Sequence, residues 1–232
     1  MVQKRPFSKV PSAWIYDGRL REFDWRPGQG SDNLASLMTY IAIVSLVDSK
    51  TGEARITYND LMLATGISRA KTSKALEILE EKELIFRQHK SSHISLAYYG
   101  TNHRWGKIAS KIHTKSSKPQ VKYFDDFKLR KKIELDALKI LLLVVATRNV
   151  SKNLSEISYD KITEYTGIAR TRIKPAMGLL MKEAILIPER HRFSDSGRWY
   201  IGYRLNGVDS FVHAGTIDSD LLKSHMSILA PF

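Results

Sequence analysis

The 232-residue chain has no cysteine, which excludes disulfides and thiolate metal sites and fits a reducing compartment. Long apolar runs are missing too. The longest, Ile140 to Ala146, falls far short of the ~20 residues that a membrane helix needs, and the opening MVQKRPFSKV lacks the apolar centre of a signal peptide. A soluble, cytoplasmic protein is expected. Acids are scarce: 24 Asp plus Glu stand against 37 Lys plus Arg, a formal net charge of +13. That imbalance favours polyanionic partners, nucleic acid or an anionic membrane surface.

The scarcity is uneven. From Leu84 to Phe124 there is no Asp or Glu, while Arg87, Lys90, Arg104, Lys107, Lys111, Lys115, Lys118 and Lys122 fall there. A second acid-free window, Tyr165 to Lys182, holds Arg170, Arg172, Lys174 and Lys182. Short charged runs are usually solvated faces, but a window of this length points to a polyanion.

Catalytic signatures are lacking as well. Gly100 to Lys107 has its glycines six apart rather than five, and Ile108 stands where a phosphate loop needs Ser or Thr. His89 and His93 are spaced like metal ligands, but no neighbouring carboxylate or cysteine completes a site. Asp125-Asp126 reads as a helix start. No nucleophile, base and orienting group come together, so the expectation is a protein that is not an enzyme and carries no cofactor and no metal.

What the sequence does contain is a repeat. Residues 56–86 and 157–187 align at a constant offset of 101 without a gap, with eight of 31 positions identical. These are Ile56/Ile157, Tyr58/Tyr159, Thr65/Thr166, Gly66/Gly167, Ile67/Ile168, Arg69/Arg170, Ala75/Ala176 and Leu79/Leu180. Unrelated segments would share about two. The offset extends upstream to Phe23-Asp24 and Phe124-Asp125, and a period of this size is a small domain rather than a solenoid unit. A separate echo, Phe7 to Ser12 against Trp105 to Ser110, opens each copy.

Each copy shows the same order of elements. Apolar residues at helical spacing (Leu34, Leu37, Met38, Ile41; Leu129 through Val145) predict a first, buried helix. Thr57 with Asp60, and Ser158, are placed to cap a short second helix. Gly66 and Gly167 end that helix in a left-handed turn, and a third helix begins at once, with Thr72, Ala75, Leu76 and Leu79, or Ile173, Ala176, Met177 and Leu180, on its inner face. Two helices joined through so short a glycine turn form a helix-turn-helix. Strand-like alternation follows on both sides of a polar loop, Arg87 to His93 and then Pro188 to Arg198, predicting a hairpin. Pro175 and Gly178 interrupt the third helix of the second copy, which is expected to kink or start late.

The T-G-I-[SA]-R-x-[KR] opening of the third helix, the A-x-x-x-L spacing, the E-K-E-L-I end in the first copy and the basic hairpin together resemble the winged helix-turn-helix superfamily of DNA-binding domains. The opening echo is similar to the start of winged-helix domains in plasmid and phage replication proteins. The resemblance implies a mainly α fold with small β wings (α+β), as two tandem winged helix-turn-helix domains. The expected division is a first domain at 1–100, a basic linker at 101–120, a second domain at 121–207 and a tail helix at 208–232. The tail would pack on the second domain or join two copies as a homodimer.

In that family the third helix lies in the major groove and the wing touches the neighbouring backbone. Carried over by position, the reading residues would be Ser68, Arg69, Lys71, Ser73 and Lys74, and Arg170, Thr171, Arg172 and Lys174. Wing contacts would come from Arg87, His89, Lys90 and Ser91, and from Arg190, His191, Arg192 and Arg198. Lys107, Lys111, Lys115 and Lys118 of the linker would follow the phosphates. Tyr98, Tyr99 and Trp105 read as packing residues, with base stacking the alternative.

The function implied is sequence-specific binding of double-stranded DNA, nucleoid-associated when bound. A transcriptional regulator meeting polymerase and a plasmid or phage replication initiator binding origin repeats and meeting replication proteins are both open. A protein-interaction adaptor is the third reading.

Overall fold

The computed structural model describes residues 7–88, 91–100, 104–109, 112–113, 120–121, 124, 127–149, 151–192 and 199–208. Helices dominate, with small antiparallel sheets, so the class is mixed α and β. The chain opens with strand β1 (Phe7–Pro11), a helical turn α1 (Ala13–Tyr16) and a 3-10 turn (Arg19–Glu22). Helix α2 (Gly30–Leu46) follows, then β2 (Glu53–Arg55), α3 (Tyr58–Thr65), α4 (Arg69–Glu81) and the strands β3 (Ile85–Gln88) and β4 (His93–Leu96). The order then recurs: β5 (Trp105–Ala109), the short strands β6 (Ile112–His113) and β7 (Gln120–Val121), α5 (Lys132–Thr147), α6 (Tyr159–Thr166), α7 (Arg170–Lys182), β8 (Leu186–Arg192) and β9 (Trp199–Leu205).

Local chemistry sets the ends of these helices. Thr57 Oγ1 accepts from the Asp60 amide at 3.2 Å while Asp60 accepts from the Thr57 amide at 2.8 Å, a reciprocal cap for α3. Ser158 caps α6 through the Lys161 amide at 3.3 Å. Gly66 and Gly167 follow with φ of 72° and 70°, in the left-handed region that reverses the chain into the next helix. The threonines before them, Thr65 and Thr166, are buried; each donates its hydroxyl to the carbonyl four residues back and accepts the amide of the core isoleucine, Ile67 or Ile168. One correspondence has no cue in residue type: Glu83 and Ala184, again 101 apart, both take positive φ, 48° and 50°, just past the ends of α4 and α7.

The two copies share one continuous core. Helices α2 and α5 are apolar nearly all round because each is covered on one side by its own copy and on the other by its counterpart. The Trp14 ring meets Tyr40 edge-on at 5.4 Å and its indole N–H donates to the Tyr40 hydroxyl at 3.1 Å, so this buried aromatic pair keeps its polar atoms satisfied.

The segment 101–120 is not the expected linker over its described part. β5 pairs antiparallel with β1, joining the beginning of the chain to the beginning of the second copy. Its Gly106 lies so close to α5 that a Cβ there would sit 2.3 Å from the Val145 carbonyl oxygen, so only glycine allows the strand to seat. The residues before α2 and α5 also cross over. The 3-10 turn of the first copy packs on α6 of the second, and β7 of the second packs on α3 of the first. Tyr16 donates to the Ala146 carbonyl at 2.6 Å and meets the Tyr165 ring edge-on at 6.3 Å, both in the other copy.

The hairpins differ. β3 and β4 form a three-stranded sheet with β2 at its far edge, whereas β8 and β9 form a longer two-stranded ribbon. At the place of β2 the second copy keeps a single bridge, Ser155 with Tyr203. No helix among the described residues is long and apolar enough to cross a membrane. The tail from residue 209 onward, including the expected helix, lies outside the described residues.

Candidate nucleic-acid interface

Helices α4 and α7 begin at equivalent residues, run 13 residues each and bury equivalent faces. Their outer faces carry most of the reading residues named above, and the structure separates these by what each side chain touches. Arg69 is exposed with its guanidinium 4.7 Å from the Tyr58 ring centroid; Arg170 stacks likewise on Tyr159 at 5.6 Å and pairs with Asp160. The tyrosine and arginine are identical in both copies, and the pair ties α3 to α4 and α6 to α7. Both guanidiniums remain outward.

Lys71 and Arg172 are anchors rather than free readers. The Lys71 ammonium donates to the Ser31 hydroxyl at 2.8 Å and pairs with Asp32 at the start of α2. Arg172 Nε donates to Asp136 of α5 at 2.9 Å, with the Asp136 side chain 4% exposed. Each thus holds the outer helix of its copy onto the buried one. Ser68 caps α4, accepting from the Lys71 amide at 3.4 Å, while Ala169 leaves α7 without a side-chain cap. Lys74 is exposed beside Glu77 at 3.1 Å, and Thr171 and Lys174 are exposed, with Ser73 half-buried.

The hairpins require further corrections. Arg87 turns back onto α4 and pairs with Glu80, its side chain 10% exposed, so it does not reach outward. Ser91 donates to the Gln88 carbonyl at 3.3 Å and closes the turn. In the second hairpin Arg190 is exposed and stacks on Trp199 at 4.5 Å, and His191 lies flat on Tyr200 at 5.4 Å with Glu189 at 3.4 Å. His89, Lys90, Lys111, Lys115, Lys118 and Arg198 lie outside the described residues, as does the Arg192 side chain.

Lys107 also leaves the set. It is 3% exposed, held in β5 with its ammonium 4.4 Å from the Phe7 ring centroid, and burial followed by the charge of Arg148 lowers its pKa. A lysine so placed cannot follow a phosphate chain. Trp105, two residues before Lys107 and so on the same face of β5, is partly exposed, with the Lys9 ammonium 5.0 Å from its ring centroid.

α7 starts on time at Arg170 and runs without a break through Pro175 to Lys182, so the late start expected from the proline is not found. The hydrogen bond it removes belongs to the Thr171 carbonyl, and both residues are exposed, so the interruption falls on the solvent side of the helix. Gly178 is equally open, with nothing within 4 Å of a Cβ placed there. Gly178→Ala should therefore stabilise the protein by about 1 kcal/mol, seen as a higher urea midpoint with an unchanged slope. A lower midpoint would show that Gly178 serves something other than a plain helical position.

Two features escaped the sequence. A cleft of about 530 Å³ lies between the Gly66 turn and the Phe124–Leu129 segment of the other copy, with Lys71 and Lys128 at its walls. Its sides come from residues some sixty positions apart, so no local pattern announces it. The second hairpin exposes Trp199 and Ile201 at 57% and 55%, large apolar side chains that the alternation assigns only to one side of a strand. No cluster of three or more metal-ligating side chains occurs among the described residues, and His93 sits 3.3 Å from Glu53.

Neither a known protein family, nor a curated protein, nor a solved structure matches the chain.

Proposed function

We propose that the chain is a sequence-specific double-stranded DNA-binding protein made of two winged helix-turn-helix units, with α4 and α7 entering major grooves and the two hairpins acting as wings. The observation that carries this reading is the sorting of charge on the outer helices. Lys71 and Arg172 are bound by acids of the core helices, while Arg69, Lys74, Arg170 and Lys174 face outward, Lys74 and Arg170 meeting only the solvent-exposed acids Glu77 and Asp160, and α7 contains no acid at all. Guanidinium and ammonium groups on an exposed helix suit both guanine edges and phosphates. Arg190 on its hairpin extends the same charge.

Regulation of transcription is the role the reading favours. The paired opening strands, built from segments similar to those of replication proteins, support an origin-binding initiator as the second reading. Footprinting on DNA beside its own gene separates them: one operator across a promoter for the regulator, an array of repeats beside an AT-rich tract for the initiator.

The reading is tested by fluorescence anisotropy on labelled duplex. Replacing Lys74, Lys174 and Arg190 together by alanine should weaken binding about a hundredfold, from three charge-assisted contacts of about 1 kcal/mol each, with the melting temperature unchanged. Unchanged affinity, or no duplex bound by the wild type at low salt, would sink the proposal and favour a protein-interaction adaptor.

A further inference from the structure

The two copies are related by an internal two-fold rotation, and three independent observations establish it. The first is the register of β1 with β5. The opening echo makes Phe7 equivalent to Trp105, Lys9 to Lys107 and Pro11 to Ala109. In the strand pair Phe7 lies opposite Ala109, Pro11 opposite Trp105, and Lys9 opposite its own equivalent, Lys107. Residue i of one copy thus meets residue j of the other while j meets i, the defining property of an isologous contact, with the axis at the Lys9–Lys107 pair. The second is the reciprocal exchange of the segments before α2 and α5, each packed on the short helix of the opposite copy. The third is the packing of α2 against α5, which are equivalent helices. Because α4 packs on α2 as α7 packs on α5, with Lys71 and Arg172 at equivalent positions each reaching an acid of that helix, the same axis relates the outer helices.

From this we infer that a single chain reads a DNA site of two unlike half-sites in inverted orientation. The inference rests on the DNA-binding reading above and adds the form of the target. B-DNA has local two-fold axes perpendicular to its length, so surfaces related by a two-fold meet equivalent groove edges only where the half-sites are inverted. Direct repeats are related by a screw along the duplex, which this arrangement does not offer. The half-sites differ in sequence because the outward residues differ at equivalent positions: Ser68 against Ala169, Ala70 against Thr171, Ser73 against Lys174 and Lys74 against Pro175.

Selection of bound sequences from a random duplex pool, with the full-length wild type, tests this. The enriched site should contain two dissimilar half-sites in inverted orientation, occupied by one chain per duplex in native mass spectrometry. Reversing one half-site into a direct repeat should weaken binding about a hundredfold, since the second contact then no longer benefits from being tethered to the first. Lys174→Ala should change base preference in one half-site and leave the other as it was. Enrichment of direct repeats or of a lone half-site, a reversal without effect, or two chains on one inverted site would overturn the inference while leaving DNA binding intact. A pool with no enrichment, together with no duplex bound at low salt, would instead remove the DNA-binding reading and the inference with it.

Discussion

Raising monovalent salt from about 50 mM to about 200 mM should weaken duplex binding by about a thousandfold. Each phosphate neutralised by a lysine or arginine releases condensed counterions, and about six such contacts give a log–log slope near −5. On the proposed reading, Arg69, Lys74, Arg170, Lys174 and Arg190 would supply five of those six contacts. Lys71, Arg87, Arg172 and Lys107 are left out of the count because largely covered acids or burial hold them, whereas the acids beside Lys74 and Arg170 are solvent-exposed and can give way to phosphate. Titrating the wild type over a salt series gives the slope directly. A flat response would overturn the electrostatic account of the outer helices, and substituting Lys74 and Lys174 should lower the slope by about two.

The second large effect concerns stability. Asp136 lies buried in α5 between Arg172 and Lys139, and burial raises its pKa more than those cations lower it. Lys139 is itself 4% exposed, donates to the Phe23 carbonyl at 2.8 Å and has its pKa pulled down to about 8, chiefly by burial. Asp136→Ala should cost about 3–5 kcal/mol, because it takes from buried Lys139 the larger of its two counter-charges, leaving Asp24, and unties α7. Urea denaturation measures this, and a loss under about 1 kcal/mol would show that water already compensates the pair.

The same lysine fixes a pH dependence. Its folded pKa of about 8 lies below its ordinary 10.5, so between those values the folded chain holds fewer protons than the unfolded chain. Stability from this group therefore rises as pH climbs through the window, and its burial cost is felt in full below about pH 8. Tyr40 and Tyr203, both with raised pKa values, act in the opposite sense above about pH 10, so the comparison belongs between pH 7 and 9.5. There the wild type should gain up to about 1.4 kcal/mol per pH unit relative to Lys139→Met. An equal change in both proteins would sink the assignment.

Much of the local structure was legible because its causes are local. Thr57, Asp60, Ser158, Gly66 and Gly167 each act within four residues of themselves, and the helix pairs follow from them. All eight repeated identities turn out to have packing or turn roles open to such reasoning, Arg69 and Arg170 included once Tyr58 and Tyr159 are seen beneath them. What lay hidden depended on distant partners. Helical periodicity places Lys71 and Arg172 on a half-outer face but says nothing of Asp32 or Asp136 on another helix. Acid-free composition made 101–120 look like a solvated linker, since Lys107 has no local sign of burial; the strand that covers it lies about a hundred residues earlier. Pro175 misled for the opposite reason: its penalty is local, and it falls on the exposed side of a helix that continues through it.

The exchanged segments before α2 and α5 mean that neither copy is complete without the other, so the chain is in effect a dimer made continuous. A dimer of identical subunits can alter its two outer surfaces only together, since one codon change appears on both. Here each surface has its own codons. Ser73 can become lysine at position 174, and Lys74 proline at 175, while the shared centre holds both halves in place.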